Sequence, residues 1–313
     1  MYWKFKAIIQ KAVSLLPSAA SYATYYWIQR NFRGLRQINY MSKLLAGIET
    51  WKKIREMGCE PSEKVFLEIG TGRIPLVPLA YWLMGAKKTI TIDLNPYLKE
   101  ELIRESLKYI SEHKEEIHYV FGSLLEKKRF DHLLAFSRNP NFSTREFLDL
   151  CQTVYFAPGN AASTGLASLS IDFHTSYTVF EHIMPEVLKQ ILEEGNRLVK
   201  SNGMFIHQID YSDHFAHSDE KISAINFLQY SDDTWKRYAE NRYAYVNRLR
   251  HDDFISLFQS VGHRILAAET CIDRCSQKIL RNGIFKLNER FNTKSEEILS
   301  VSDALIVSRK EEI

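Results

Sequence analysis

The sequence VFLEIGTG at residues 65–72 decides the fold. Its first five residues form a short apolar run, and the glycines Gly70 and Gly72 follow at once. A long apolar segment then closes at Gly85, and a second short run from Thr89 ends in Asp93. This order of strand, tight turn, helix and strand predicts a parallel βαβ unit.

The alternation of strands and helices continues along the chain. Alternation of this kind is typical of a doubly wound α/β sheet, in which ligands bind at the carboxyl ends of the strands. We predict one such domain over residues 61–313, with a helical insertion at about 112–150 and a second insertion at about 211–250. Further strands are predicted at 153–157, 172–179, 204–209, 263–268 and 303–308, and further helices at 42–57, 96–111 and 185–199.

The composition is that of an ordinary globular protein. Of 313 residues, 45% are hydrophobic and 25% are charged, which argues against extended disorder. The net charge of +3 is too small to indicate a nucleic-acid partner. The four cysteines form no paired CxxC sets, so neither a zinc site nor a disulfide scaffold is predicted, and a cytoplasmic location is expected.

Residues 1–60 are predicted to form a basic, amphipathic helical extension, because no acid precedes Glu49. Two interpretations of its first helix remain open: it packs on the domain as a lid, or residues 1–40 contact the inner face of an anionic membrane. A third interpretation is that this segment is a mitochondrial presequence. No stretch has the roughly 18 apolar residues that a spanning helix needs. One predicted helical face carries Ile8, Ile9, Ala12, Val13 and Leu16.

Three features follow the first three strands of the predicted sheet. Glu68 and the glycine turn come first, and glycine lets the backbone approach a ligand closely. Asp93 lies 23 residues after Gly70, where it can accept hydrogen bonds from two ribose hydroxyls. The sequence GNA at 159–161 follows the third strand, and its amide can pair with an adenine edge. Together they predict a ligand that contains adenosine.

The run at 65–72 resembles the first motif of class I S-adenosylmethionine (SAM) dependent methyltransferases, with an acid two places before the first glycine. The resemblance extends through Asp93, GNA at 159–161 and IDFHTSYTVFEHI at 171–183, and covers roughly residues 61–310. It implies a seven-stranded, mostly parallel, Rossmann-like sheet and SAM as cofactor. The rival is a nicotinamide-dependent oxidoreductase, but Pro75 occupies the third glycine position of that motif.

The resemblance also assigns the parts of the cofactor to residues. It implies that Glu68, Gly70 and Gly72 hold the methionine part and that Asp93 holds the ribose. Asn160 and Ala161 would then contact the adenine, although Asn160 stands where the family more often has Asp. The remaining expected cofactor contacts are Thr71, Leu94 and Tyr177.

The segment 207–217, after the fifth strand, is dense in imidazole and carboxylate groups. Histidine titrates near neutrality, so His214 or His207 is predicted to accept a proton from an acceptor hydroxyl, oriented by Asp213 or Asp210. The alternative is a polar loop whose His–Asp contacts fix only its own shape.

Aromatic and cationic side chains alternate further along, at 243–250. Tyr211, Asn247 and Arg248 are the predicted substrate contacts. Arg248 or Arg250 is expected to clamp a phosphate or carboxylate, or alternatively to pair with the acids at 252–253.

The pair Glu181-His182 resembles the Glu-x-x-Glu-His metal motif of some quinone and RNA methyltransferases. Thr178 stands at the first glutamate position. No metal is therefore predicted, and the alternative for Glu181 and His182 is a hydrogen-bonded pair at a helix start.

The predicted function is methyl transfer from SAM to a hydroxyl of a small-molecule, glycan or lipid-linked acceptor, without a nucleic-acid partner. The sequences IDYSDH at 209–214 and NRLR at 247–250 resemble a bacterial methyltransferase subgroup linked to surface glycan or lipid modification. The alternatives are a nicotinamide-dependent oxidoreductase and a non-catalytic SAM-fold scaffold that docks through the basic extension. The oligomeric state stays open.

Overall fold

The computed structural model describes residues 2–32, 34–283 and 286–311. Within these residues, seven strands form one mixed sheet: β1 (Val65–Ile69), β2 (Lys88–Ile92), β3 (Thr153–Phe156), β4 (Ile171–Tyr177), β5 (Val199–Asp210), β6 (His263–Ile272) and β7 (Val301–Lys310). The strand order is β3-β2-β1-β4-β5-β7-β6. The predicted doubly wound α/β fold is therefore confirmed.

The register of the central strands places the first three predicted ligand features at one edge. β1 pairs in parallel with β2 and with β4, and β2 pairs in parallel with β3. The strand order reverses between β1 and β4, and ligands of open α/β sheets bind at the carboxyl ends of strands beside such a reversal.

Helices connect the strands: α1 (Trp3–Ser14), α2 (Ser18–Phe32), α3 (Tyr40–Glu56), α4 (Leu76–Leu83), α5 (Glu100–Glu112), α6 (Lys114–Phe121), α7 (Lys127–Phe136), α8 (Thr144–Leu150), α9 (Pro185–Leu198), α10 (Asp232–Ala239), α11 (His251–Ser260), α12 (Arg274–Arg281) and α13 (Glu296–Ser300). The predicted insertion at 112–150 is indeed helical, since it forms α6 to α8. Among the described residues, no helix combines the length and the apolar character needed to cross a bilayer.

The chain divides into two compact units. Unit 1 contains Met1–Ile38, Thr178–Lys189 and Gln208–Ile306, and unit 2 contains Asn39–Tyr177, Gln190–His207 and Val307–Ile313. Helix α3, which the sequence placed in the extension, thus belongs with β1 in unit 2.

The core of unit 2 is built around Phe66 on β1. Its ring stacks on Tyr81 at 4.3 Å and on Trp51 at 5.8 Å between ring centroids. Every residue of α4 is buried, as expected of a helix that is apolar on all sides. Gly47 on α3 permits close approach to α4, because an added β-carbon would lie 2.6 Å from the β-carbon of Ala80.

The core of unit 1 is aromatic and includes the first helix. Trp3 packs against Phe215 and Trp235, with ring centroids 5.4 and 5.9 Å apart. The buried stripe of α1 is Trp3, Ala7, Gln10 and Val13. Of the predicted apolar face, Val13 is buried and Ile8, Ala12 and Leu16 are exposed, so this face does not pack inward as a whole. Trp3 anchors the helix and determines which side turns inward.

Candidate active site

The glycine turn after β1 and the end of β2 are joined by a hydrogen bond within unit 2. Gly70 and Gly72 have φ of 78° and 74°, a left-handed conformation that favours glycine. This turn aims the amide of Gly72 at Asp93, and it donates to Oδ2 over 3.0 Å. A β-carbon at Gly72 would meet, among described residues and within 4 Å, only Nζ of Lys43 at 3.9 Å. The turn therefore borders open space that a ligand can enter.

Two buried carboxylates face this turn. Glu68 is 2% exposed and its Oε2 accepts a hydrogen bond from the Thr71 hydroxyl at 2.8 Å. Burial raises the pKa of Glu68 to about 8, although Thr71 and Lys43 oppose the shift. Burial likewise raises the pKa of Asp93 to about 6, against the stabilising amide of Gly72. Both carboxyl groups are thus weaker acids than in water, and both are placed to form hydrogen bonds with a polar cofactor.

Lys43 is the residue of this site that sequence reasoning missed. It lies on α3, and its ammonium group interacts electrostatically with Glu68 and Asp93. Burial lowers its pKa, and the two carboxylates oppose that shift. No local signal marks Lys43, because only the packing of α3 beside β1 brings the cation to the glycine turn.

The other predicted cofactor residues lie at the same strand ends. Leu94 directly follows Asp93 and is 74% exposed. Asn160 is exposed and its Oδ1 accepts from the amide of Ala162 at 3.0 Å, which leaves its amide NH₂ group for a ligand. Ala161 and Tyr177 are half-buried. Their contacts with a cofactor stay predictions.

A cluster of imidazole groups lies in unit 1. The ring of His214 is 4.8 Å from that of His182 and 5.1 Å from that of His217, between centroids. Nε2 of His214 lies 3.3 Å from Oδ2 of Asp210. Burial acts to raise the pKa of Asp210, but His214 and Ser212 outweigh it and lower the pKa to about 2. Asp210 is therefore an ionised partner for His214.

Of the other predicted members of this loop chemistry, Asp213 lies next to His214 in unit 1 and His207 lies in unit 2. Asp213 is fully buried and accepts hydrogen bonds from Asn226 and from the amide of Phe215, so it holds the loop. His207 belongs to unit 2, is fully buried, and bonds to Ser176 at 2.8 Å and His174 at 3.2 Å. These contacts favour structural roles for both.

Glu181 and His182 do not form the expected hydrogen-bonded pair. Glu181 is 3% exposed, and neither of its carboxylate oxygens has a hydrogen-bond partner among the described residues. Burial raises its pKa well above the ordinary value, with only weak opposition from nearby backbone amides. Nδ1 of His182 instead bonds to the carbonyl of Tyr245 at 2.8 Å.

The histidines border a cavity of about 510 Å³ that lies wholly in unit 1. Its walls are mainly aromatic and aliphatic, with a few polar groups, which is typical of sites for small organic ligands. The lining includes Ile9 and Gln10 of α1, Tyr25, Ile28 and Phe32 of α2, the imidazole groups of His182, His214 and His217, and Trp235, Tyr243 and Val246.

The predicted substrate residues are occupied by internal hydrogen bonds. Arg248 is 3% exposed and donates to two backbone carbonyls and to Asp232. Arg250 is fully buried, and its guanidinium donates to the carbonyls of Tyr211, Leu299 and Val301. The backbone amide of Arg250 donates to Asp253, but among the described residues neither guanidinium has a hydrogen bond with the acids at 252–253.

The two remaining substrate candidates are bonded in the same way. The side-chain amide of Asn247 donates to the carbonyls of Phe180 and Ile183. Tyr211 is 2% exposed, and its hydroxyl lies 3.2 Å from Nδ1 of His251.

No protein-family model and no curated protein matches the chain. Solved structures with a similar arrangement include a SAM-dependent methyltransferase from Mesorhizobium loti, with 14% identity over 85% of this chain and 100% of the other and a TM-score of 0.45. Another is a SAM-dependent methyltransferase from Methanosarcina mazei, with 13% identity over 82% of this chain and 96% of the other and a TM-score of 0.45. A Pyrococcus horikoshii protein has 14% identity over 92% of this chain and 99% of its own, with a TM-score of 0.46. At these identities and TM-scores, the activity has to be argued from the site itself.

Proposed function

We propose that the protein transfers a methyl group from SAM to a hydroxyl of a small-molecule, glycan or lipid-linked acceptor. The observation that carries the proposal is the pair of buried carboxylates, Glu68 and Asp93, at the ends of adjacent parallel strands beside the open glycine turn. SAM supplies an activated methyl group, so the protein has to bind SAM and the acceptor, orient them and exclude water.

The residues of unit 2 fit SAM part by part. Asp93 keeps acceptor capacity beyond its bond with Gly72, and it serves the ribose hydroxyls. Glu68 and the glycine turn hold the methionine part, and Lys43 adds a cation for its carboxylate. Exposed Leu94 covers one face of the adenine, which Asn160 and Ala161 contact along its edge, and Thr71 and Tyr177 complete the walls.

We assign the acceptor to the cavity of unit 1. His214 borders the cavity, and ionised Asp210 beside it stabilises an imidazolium. Within this cavity, His214 is therefore the group that accepts the proton of the acceptor hydroxyl. The apolar walls favour an acceptor with an aromatic or aliphatic body, which fits a lipid-linked or hydrophobic small molecule better than a free sugar.

The first two helices contact a membrane in this proposal. Tyr2, Phe5, Ile8 and Leu15 are between 54% and 79% exposed, and neither α1 nor α2 contains an acidic residue in its first turn. Lys4 and Lys11 are exposed on the same helix. Apolar side chains flanked by cations suit the surface of an anionic bilayer. Together with four free cysteines, this favours a cytoplasmic protein at the inner face of the membrane.

The test is transfer of label from SAM that carries deuterium in its methyl group. Lipid and glycan extracts and hydroxylated small molecules serve as acceptors, and mass spectrometry finds the labelled product. Loss of the base should slow transfer about 10²- to 10⁴-fold in His214→Ala, whereas exposed His132→Ala should transfer at the wild-type rate. Tight SAM binding without transfer to any hydroxyl would contradict the proposal.

A further inference from the structure

The strongest unexplained feature of unit 1 is the buried carboxylate of Glu181. Both of its oxygens lack hydrogen-bond partners among the described residues, although the side chain is 3% exposed. Buried carboxylates are nearly always paired, hydrogen-bonded or bound to a metal. The backbone amides of Glu181 and Asp210 lie close to the carboxyl group but do not form hydrogen bonds of good geometry, so among the described residues Glu181 has room for a further partner.

Two imidazole groups converge on the same place. Glu181, His182 and His214 each present one ligand atom, and these three atoms lie within 4.8 Å of one another. Nε2 of His214 is buried and, among the described residues, has no hydrogen bond of good geometry. The carboxylate oxygen Oδ2 of Asp210 lies 3.3 Å from it. Two imidazole nitrogens and a carboxylate oxygen form a donor set that suits divalent first-row transition metals.

The hydrogen bond of His182 prepares it as a ligand. A carbonyl oxygen can only accept, so the bond to Tyr245 places the ring proton on Nδ1. Nε2 of His182 then carries the free lone pair. Metal-binding histidines usually donate their second nitrogen to a carbonyl or carboxylate in this way, which fixes both tautomer and ring orientation.

We propose that Glu181, His182 and His214 bind a divalent transition-metal ion at the wall of the unit 1 cavity. Metal–ligand bonds of about 2.1 Å require ligand atoms roughly 3–3.5 Å apart, so the side chains close by about 1 Å on binding. Oδ2 of Asp210 lies 3.3 Å from Nε2 of His214, where it can serve as an additional ligand. Three protein ligands leave coordination positions open toward the cavity.

Such an ion would also define the acceptor, a point that rests on the proposed methyl transfer. A bound metal ion would stabilise a coordinated hydroxyl as its anion, and His214 would then serve as a ligand in place of the role as base proposed above. The preferred acceptor is then an oxygen compound that can coordinate a metal, such as a phenol or an enol, with its body against the aromatic walls.

The experiment is a titration of chelator-treated full-length protein with Co²⁺, followed by visible absorption of the bound ion. We expect one equivalent to saturate the wild type. Glu181→Gln, which keeps the size of the side chain, and His214→Ala should each weaken binding at least about 10-fold, whereas exposed Glu186→Gln and His132→Ala should bind as the wild type does. Circular dichroism of the same samples shows that each variant is folded, and binding of S-adenosylhomocysteine (SAH) is measured separately.

The outcomes separate this inference from the proposed function. Lack of saturable Co²⁺ binding, or equal affinity in Glu181→Gln, would overturn the metal site even if SAH binds. Saturable binding that depends on Glu181 and His214 supports the site even if SAH does not bind, in which case methyl transfer is the proposal that fails.

Discussion

The amide of Gly72 donates a hydrogen bond to Oδ2 of Asp93 over 3.0 Å. This bond ties the first βα turn to the end of the neighbouring strand, so the two residues expected to hold the methionine part and the ribose are fixed relative to each other. Burial nonetheless raises the pKa of Asp93 to about 6. The charge state of the ribose-binding carboxylate therefore changes just below neutral pH.

Binding of SAH should consequently depend on pH through Asp93. The ionised carboxylate is the better acceptor for ribose hydroxyls, so affinity should rise as pH increases through about 6 and then level off. A charged hydrogen bond contributes about 1.5–3 kcal/mol, so the change should be about 10- to 100-fold. Calorimetry between pH 5 and about 7.5 measures it, and Asp93→Asn should remove that dependence. A steep pH dependence of SAH affinity that persists in Asp93→Asn would show that another group causes it.

The stability of the fold should also depend on pH, but it should decrease with rising pH where SAH affinity increases. Burial raises the folded-state pKa of Glu68 to about 8, so the folded chain binds more protons than the unfolded chain between pH 4.5 and 8. The free energy of unfolding should therefore decrease across this window, by at most about 1.4 kcal/mol per pH unit from this residue. Denaturant unfolding of Glu68→Gln should have a flatter pH profile than the wild type, and an unchanged slope would contradict the shift.

Lys43 should contribute to binding of the methionine part alone. Lys43→Met should weaken SAH about 10-fold, because a charged partner of the carboxylate is lost. Affinity for 5′-methylthioadenosine, which lacks the amino acid group, should stay near the wild-type value. Lys52→Met, an exposed change on the same helix, is the control. Equal losses for both ligands would argue that Lys43 supports only the shape of the site.

Arg250 should be a stability residue. It is fully buried and satisfies three backbone carbonyls, two at 2.6 Å and one at 2.9 Å. Arg250→Met leaves these acceptors unpaired and should lower the free energy of unfolding by at least about 3 kcal/mol. Arg237→Met, at an exposed position, should change stability little. Thermal and denaturant unfolding compare the two variants. A stable Arg250→Met variant with impaired acceptor binding would contradict this role and favour the predicted contact of Arg250 with the substrate.

The exposed side of α1 should bind anionic lipid. Vesicles of phosphatidylglycerol and phosphatidylcholine should co-sediment with the wild type, and less so as salt rises. Ile8→Asp and Leu15→Asp should weaken binding, since both side chains are exposed and contribute apolar area. Tyr119→Asp, which alters an 87% exposed aromatic residue of unit 2, should not. Equal binding to neutral vesicles would contradict the role of Lys4 and Lys11.

The fold was readable from sequence because its signals are local. The apolar run of β1 and the glycines that need positive φ lie within eight residues, and β1 was predicted with its observed bounds. The central cofactor residues followed from strand ends. By contrast, Lys43 reaches the site only through the packing of α3, and Glu181 meets His214 through tertiary structure.

Polar residues near aromatic rings were the hardest to interpret. Asn247, Arg248 and Arg250 have the composition of a substrate site, but their side chains donate to backbone carbonyls in loops and near the ends of helices and strands. Such pairing depends on which carbonyls remain unpaired after folding, and the sequence carries no local mark of it.

The central claim, an adenosine-binding site at the ends of β1 and β2, is tested most directly by calorimetric titration of wild type and Asp93→Ala with SAH, SAM and NAD. The account predicts that SAH and SAM bind the wild type, that Asp93→Ala weakens both sharply, and that exposed Asp131→Ala does not. Binding of NAD alone, or SAH binding that is unchanged in Asp93→Ala, would contradict it.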